Sequence, residues 1–130
     1  MKIVAVGALI LCLGLMGCEG RNTIQLSMDQ ARLAFMEEQI DRLIADLRCA
    51  DGSACRVIPL GVKACGGPVA YKLYSVENVD TLQLQKAVTE YDEFNAEMNR
   101  RYGATSDCSL VGPPSFECHD GQCQVVGPGR

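Results

Sequence analysis

The stretch CRVIPLGVKACGGPVAYKLYS, residues 55–75, decides the fold. Residues 56–62 and 69–75 are rich in β-branched and aromatic side chains, which predicts two strands. Pro59 places the first of them at a sheet edge or in a bulge, because proline lacks the N–H that a central strand needs. The Gly-Gly-Pro sequence at 66–68 allows positive φ angles and then fixes the direction of the chain. The stretch therefore predicts a β-hairpin.

An amphipathic helix is predicted on each side of this hairpin. The first begins at Ser27, whose spacing to Gln30 is that of a capping box, and extends for about 21 residues. The second begins at Asp80 and ends before Gly103, which occupies the position of a left-handed C-cap. The apolar stripes of the two helices consist of Leu33, Met36, Ile40, Leu43, Ile44 and Leu47, and of Leu84, Ala87, Val88, Tyr91, Phe94, Met98 and Tyr102.

Helices and strand pairs come in blocks rather than in alternation, which is typical of an α+β fold. A second, smaller hairpin is predicted near the C-terminus, with the turn pair Asp120-Gly121 between its strands. We therefore expect two amphipathic helices packed on a small, mainly antiparallel sheet.

The N-terminal residues have the pattern of a bacterial lipoprotein signal. Lys2 precedes an apolar run at 3–15, which is too short for a membrane span. The small residue Gly17 then precedes Cys18, as a signal peptidase requires. This pattern predicts that residues 1–17 are removed as a signal peptide and that Cys18 becomes the lipid-bearing first residue.

The same pattern predicts the location and the organisation of the chain. Residues 18–26 are interpreted as the lipidated cysteine and a flexible tether, and residues 27–130 as a single disulfide-bonded domain. We expect this domain to lie outside the cytoplasm, attached to the cell envelope by its lipid. Glu19, rather than aspartate, follows Cys18 and favours the outer membrane in a Gram-negative cell.

The cysteine count predicts three disulfides. Of eight cysteines, Cys12 leaves with the signal and Cys18 carries lipid, so an even six remain in an oxidising compartment. Cysteines that are close in sequence on either side of a predicted turn are paired with each other. The two cysteines that remain are then paired together. The expected bonds are Cys49–Cys55, Cys118–Cys123 and Cys65–Cys108.

Charge and composition exclude several classes of function. The net charge is −4 and basic residues are scattered, which argues against nucleic-acid binding and against electrostatic docking on anionic lipid. His119 is the single histidine and lies in the turn of the second hairpin, so neither a catalytic constellation nor a metal site is predicted, and no cofactor is expected. Paired carboxylates such as Asp92 and Glu93 are interpreted as solvated helix faces.

Five residues form the candidate binding surface. Successive N–H groups at Gly66 and Gly67 are able to form an anion-binding nest if their φ angles are positive. Tyr71 and Tyr74 lie three apart on a predicted strand and so point to opposite faces, one toward the core and one toward a ligand. Asp107 is predicted to lie near the turn through the Cys65–Cys108 bond.

Several elements resemble a family of small secreted bacterial proteins and lipoproteins. The resemblance is carried by Cys-Gly-Gly-Pro at 65–68 and Ser-Asp-Cys at 106–108, and it covers residues 49–126. It implies an architecture and an extracytoplasmic location, but no reaction. Family members often carry tryptophan after the proline, where this chain has Val69.

We therefore expect a non-enzymatic, envelope-anchored lipoprotein that acts as a protein-interaction or inhibitor-like module. Its partners are then the membrane, through the N-terminal lipid, and an envelope or extracellular protein. The alternative is a small hydrolase or ligand-binding domain built on the Gly66-Gly67 turn. That alternative requires a pocket in which Tyr71 or Tyr74, Lys72 and Asp107 converge.

Overall fold

The computed structural model describes residues 19–128. The predicted signal peptide, residues 1–17, and the predicted lipid attachment at Cys18 lie outside this range. Among the helices of residues 19–128, none is both long enough and apolar enough to cross a membrane.

The first helix, α1 (Glu19–Leu43), begins earlier than the sequence predicted. Ser27 does not cap it, because its Oγ donates to the carbonyl oxygen of Ile24 at 2.8 Å, a bond made by serines within helices. The expected flexible tether at 18–26 is therefore replaced by helix over its described part. Residues 19–26 contain no proline, the residue that most strongly disfavours helix, so their polar character did not prevent them from forming helix.

The chain divides into two compact units, Met1–Arg32 and Leu33–Arg130, and the division falls inside α1. In the described part of the first unit, Gln25 Nε2 donates to Asp29 Oδ1 at 2.9 Å, one helical turn apart. The second unit begins six positions after the start of the domain predicted at 27–130.

The second helix, α2 (Thr81–Tyr102), has the bounds that the sequence predicted. The side chain of Asp80 accepts hydrogen bonds from the N–H groups of Leu82 and Gln83, both at 3.0 Å. Gly103 ends the helix in the left-handed conformation, at φ 61° and ψ 44°. Both caps satisfy backbone groups that a helix end leaves without partners.

Four strands form two antiparallel hairpins. The first pairs β1 (Cys55–Leu60) with β2 (Ala70–Ser75), and the second pairs β3 (Ser115–His119) with β4 (Gln122–Gly127). Over residues 19–128 these are two separate two-stranded sheets rather than one sheet. Every strand is consequently an edge strand, which is why Pro59 fits in β1.

The main core lies between both helices and the first hairpin. Its buried members are Ile40, Ile44, Leu60, Leu84, Val88 and Tyr91. They come from the C-terminal part of α1 and the residue after it, from β1 and from α2. Five of the six belong to the two predicted apolar stripes. The α+β fold, with two helices on small antiparallel sheets and three disulfides, is confirmed.

A second core cluster joins the second hairpin to the segment after α1. The N–H of Cys49 donates to the carbonyl oxygen of Gly121 at 3.0 Å, and the N–H of Cys123 donates to that of Leu47 at 2.8 Å. These hydrogen bonds extend the hairpin by a short antiparallel bridge to residues far away in the sequence. Four cysteines meet around this bridge.

The disulfides in this cluster correct the sequence prediction. Cys49 is bonded to Cys118, and Cys55 is bonded to Cys123, with Cα–Cα distances of 6.1 and 5.6 Å. The predicted pairs Cys49–Cys55 and Cys118–Cys123 are therefore wrong. The physical reason is the long-range bridge, which places each cysteine beside a partner that closeness in sequence did not indicate.

The third disulfide joins Cys65 to Cys108, as the sequence predicted, with a Cα–Cα distance of 5.5 Å. Three disulfides in a chain of this size indicate an oxidising location outside the cytoplasm.

Candidate functional site

The candidate site is the turn between β1 and β2, residues 61–69, which we call the 61–69 turn. Gly61, Gly66 and Gly67 all have positive φ angles, of 78°, 89° and 81°. The N–H of Val69 closes the base of the turn by donating to the carbonyl oxygen of Leu60 at 3.0 Å. The backbone thus needs glycine where the sequence places it.

Helix α2 holds the first residues of the turn through three side chains. Asp92 Oδ1 accepts from the N–H of Gly61 at 2.7 Å, and Asn95 Oδ1 accepts from the N–H of Val62 at 2.7 Å. Asn99 Nδ2 donates to the carbonyl oxygen of Val62 at 2.6 Å. The backbone of two consecutive residues is therefore fixed by one face of a helix.

Sequence reasoning missed this role of α2. Asp92 is half-buried rather than part of a solvated face, and burial raises the pKa of its carboxyl group, although the hydrogen bond from Gly61 acts in the opposite direction. Asp92, Asn95 and Asn99 recur at three and four residues beside the apolar stripe, so they share one face. That periodicity of polar residues was the available signal.

On its other side, the turn is held by the segment after α2. Lys63 Nζ donates to the carbonyl oxygen of Ser109 at 2.8 Å and to its Oγ at 2.9 Å, and lies 3.4 Å from Asp107 Oδ1. Hydrogen bonds from Ser109, and then from Lys63, hold the pKa of Asp107 below its ordinary value. The Cys65–Cys108 bond adds a covalent link between the same two segments.

The tip of the turn is exposed and closed by its own hydrogen bonds. The N–H of Gly66 donates to the carbonyl oxygen of Lys63, and the N–H of Lys63 donates to that of Gly67, both at 2.9 Å. The Gly66 N–H is thus already used, which weakens the predicted anion nest. The side chains or Cα atoms of Ala64, Cys65, Gly66 and Gly67 face solvent.

The two tyrosines of the predicted surface lie on β2 and not on the turn. Tyr74 packs against the main core, whereas Tyr71 is half-buried opposite Pro59 in the strand register. The structure therefore places Tyr74 at the main core and Tyr71 in the first hairpin, half-buried.

Lys72 and Asp107, which the alternative function required to converge, have different partners. Lys72 Nζ lies 2.8 Å from Glu37 Oε1 and 2.8 Å from Asp41 Oδ1, both on α1. Burial opposes the charge of Lys72, but the hydrogen bonds to Asp41 and Glu37 outweigh it and raise its pKa. Asp107 is paired with Lys63 instead. The structure does not bring Lys72 and Asp107 together as an acid–base pair.

Exposed apolar residues lie in the 61–69 turn and in the segment after α2 that the Cys65–Cys108 bond links to it. Leu110 follows Ser109 and is 99% exposed, and Val69 at the base of the turn is 51% exposed. Beside the turn, a depression with a volume of about 190 Å³ opens to solvent. Its lining residues are Val62, Lys63, Ala64, Ala96, Asn99 and Arg100.

His119 is the last residue of β3, next to the Asp120-Gly121 turn rather than in it, and its side chain is 61% exposed. Its Nε2 lies 3.4 Å from a carboxylate oxygen of Asp120. This contact is at the surface and far in sequence from the 61–69 turn.

No protein-family model, curated protein or solved structure matches the chain. The resemblance of the Cys-Gly-Gly-Pro and Ser-Asp-Cys elements to a family of secreted proteins therefore stays a prediction. What the structure adds is that both elements lie at one place, joined by the Cys65–Cys108 bond and by Lys63.

Proposed function

We propose that the protein is an envelope lipoprotein, anchored through acylated Cys18, that presents the 61–69 turn to an envelope or extracellular protein. It acts as a non-enzymatic interaction or inhibitor-like module. In a Gram-negative cell, Glu19 favours the outer membrane as its site. The extracytoplasmic location indicated by the three disulfides agrees with this proposal.

The observation that carries the proposal is an exposed tip on a fixed backbone. Three side chains of α2, the ammonium group of Lys63 and one disulfide hold the turn, whereas Gly66 and Gly67 remain open to solvent. A loop that is already ordered loses little conformational entropy on binding, so more of its contact energy appears as affinity. Leu110, almost fully exposed beside the turn, supplies an apolar anchor.

Capture of detergent-solubilised envelope proteins on the immobilised protein tests the interaction. Leu110→Asp and Ala64→Asp change exposed residues at the site. Leu82→Asp is the matched control, because Leu82 is 77% exposed but lies in the first turn of α2, more than two helical turns from Asp92. We expect a specific partner to be retained by the control and lost from both site variants. Equal retention by all three proteins, or no specific partner in repeated captures, contradicts the proposal.

Lipid attachment is tested separately. Metabolic labelling with a palmitate analogue should label the wild-type protein and not Cys18→Ser, and the variant should leave the membrane fraction. Label on Cys18→Ser, or a mature wild-type mass without acyl chains, contradicts the anchor and leaves the interaction to be judged by the capture experiment.

A further inference from the structure

Two disulfides lie side by side in the second core cluster. The Sγ atoms of Cys49, Cys55 and Cys123 all lie within 4.8 Å of one another, and Cys118 is bonded to Cys49. Four sulfur atoms from two bonds therefore share one small volume. Each sulfur has a potential partner other than the one to which it is bonded.

The second hairpin is able to close its own disulfide without a change of backbone. Cys118 and Cys123 are directly opposite in the register of β3 and β4. The N–H of Cys123 donates to Leu47, outside the hairpin, so the two cysteines form a non-hydrogen-bonded pair. In such pairs the Cα atoms are about 4.5 Å apart, within the range that a disulfide spans.

We propose that these two disulfides interconvert by thiol–disulfide exchange between the observed pairing and the pairing Cys49–Cys55 with Cys118–Cys123. The co-reactant is a low-molecular-weight thiol such as glutathione, which is regenerated. The exchanged form contains the same number of disulfides, so no net oxidation or reduction occurs.

The order of steps follows from burial. Cys118 is half-buried, whereas Cys49, Cys55 and Cys123 are buried, so the external thiolate attacks the Sγ of Cys118. The Cys49–Cys118 bond breaks, Cys49 leaves as a thiolate, and Cys118 forms a mixed disulfide with the external thiol.

Two further displacements complete the exchange. The Cys49 thiolate attacks the Sγ of Cys55, which lies within 4.8 Å, and the Cys55–Cys123 bond breaks. The released Cys123 thiolate attacks the Sγ of Cys118 opposite to it and expels the external thiolate. Each step forms one S–S bond and breaks one, and the thiol that entered leaves unchanged.

The exchange alters how the second hairpin is attached. In the observed pairing, two covalent bonds tie β3 and β4 to Cys49 and Cys55. In the exchanged pairing, the hairpin is linked to those segments only by hydrogen bonds and packing, such as the bond from Cys49 N–H to Gly121. A thiol thereby switches this hairpin from a covalently fixed to a releasable state.

Peptide mapping of the folded, full-length protein as exported tests the proposal. The protein is incubated with substoichiometric glutathione in its native state, free thiols are then blocked with N-ethylmaleimide, and the protein is digested with trypsin without reduction. Residues 49–56, CADGSACR, form one tryptic peptide that holds both Cys49 and Cys55. In the observed pairing this peptide is linked twice to peptide 102–130, and in the exchanged pairing it is released with an internal disulfide.

We expect released peptide 49–56, two hydrogen atoms lighter than its reduced form, to increase over minutes to hours and then reach a plateau. Peptide 64–72, which carries Cys65, should stay linked to peptide 102–130 throughout, because its sulfur takes no part in the exchange. The double variant Cys49→Ala, Cys118→Ala should release nothing, since Cys55–Cys123 then has no neighbouring thiolate. Absence of release, release only in denaturant, or parallel loss of the peptide 64–72 link overturns the proposal.

Discussion

Gly61 offers the sharpest test of how the 61–69 turn is held. Its φ angle is +78°, and a Cβ at this position would lie 2.8 Å from Val69 Cγ2 and 2.9 Å from Val69 Cβ. Gly66 has a similar φ of +89°, but a Cβ there meets nothing within 4 Å. Replacing each by alanine therefore separates the cost of backbone conformation from the cost of steric overlap.

Backbone conformation and steric overlap each contribute to the cost of Gly61→Ala. A side chain in the left-handed region costs about 1–2 kcal/mol, and both variants carry this cost. Carbon atoms prefer separations of about 3.5–4.0 Å, so Gly61→Ala must also shift Val69 or the strand end, which costs about 1–3 kcal/mol more. Alanine also restricts the unfolded chain, to a similar extent in both variants. We expect Gly61→Ala to lower the free energy of unfolding by about 2–5 kcal/mol and Gly66→Ala by about 1–2 kcal/mol.

Urea denaturation with the disulfides intact measures both values, and an unchanged slope would show that the denatured state is the same. Val69→Ala in the Gly61→Ala background should recover part of the loss, because it removes the Cγ2 contact and leaves the Cβ contact. The reasoning is refuted if Gly66→Ala is as destabilising as Gly61→Ala, or if the double variant recovers nothing.

Two further predictions concern Asp92 and the two overlapping disulfides of the second core cluster. Burial raises the pKa of Asp92, so its contribution to stability is present at acid pH and is lost as pH rises through the folded pKa. Asp92→Asn keeps an acceptor for the Gly61 N–H and should weaken this loss of stability with rising pH, whereas Asp92→Ala should lower the free energy of unfolding by about 1–3 kcal/mol. Denaturation at several pH values distinguishes the two variants. Identical pH profiles for wild type and Asp92→Asn would be contrary to expectation. The loops closed by Cys49–Cys118 and Cys55–Cys123 overlap in sequence over residues 55–118. With one bond in place, the other therefore closes a loop of only about a dozen residues and contributes about 3 kcal/mol in the chain-entropy model. Replacing both bonds by serine pairs should lower the free energy of unfolding by about 7 kcal/mol, more than the two single replacements together, because the second removal then opens the whole loop. If the two single losses measured by denaturation simply add up to the double loss, the bonds instead close independent local loops.

Much of the candidate site could be predicted from sequence, but its support could not. The Gly-Gly turn, the flanking strands and the Cys65–Cys108 link follow from turn chemistry and from the cysteine count. The hydrogen bonds that Asp92 and Asn95 accept from the turn do not, because they join positions about thirty residues apart. A polar residue beside an apolar stripe has the same sequence pattern whether it faces solvent or a neighbouring backbone.

The start of α1 shows a similar limit. Residues 19–26 are polar enough to be interpreted as a tether, yet they form helix, and Ser27 makes an internal bond instead of a cap. A cap depends on whether the preceding residues leave the helical region, which a single serine does not decide. At α2, where Asp80 and Gly103 both agree with the apolar stripe, the predicted bounds are correct.

By itself, the sequence determined the local structure: α2 with its caps, both hairpins, the α+β class and the even set of six cysteines. Periodicity, capping residues and turn residues act over a few positions, so they can be recognised in the sequence without knowledge of the tertiary structure. Tertiary structure alone decided which cysteines of the second cluster are bonded. The bridge between Leu47 and Cys123 places two pairs of cysteines side by side, and disulfide partners depend on that distance in space.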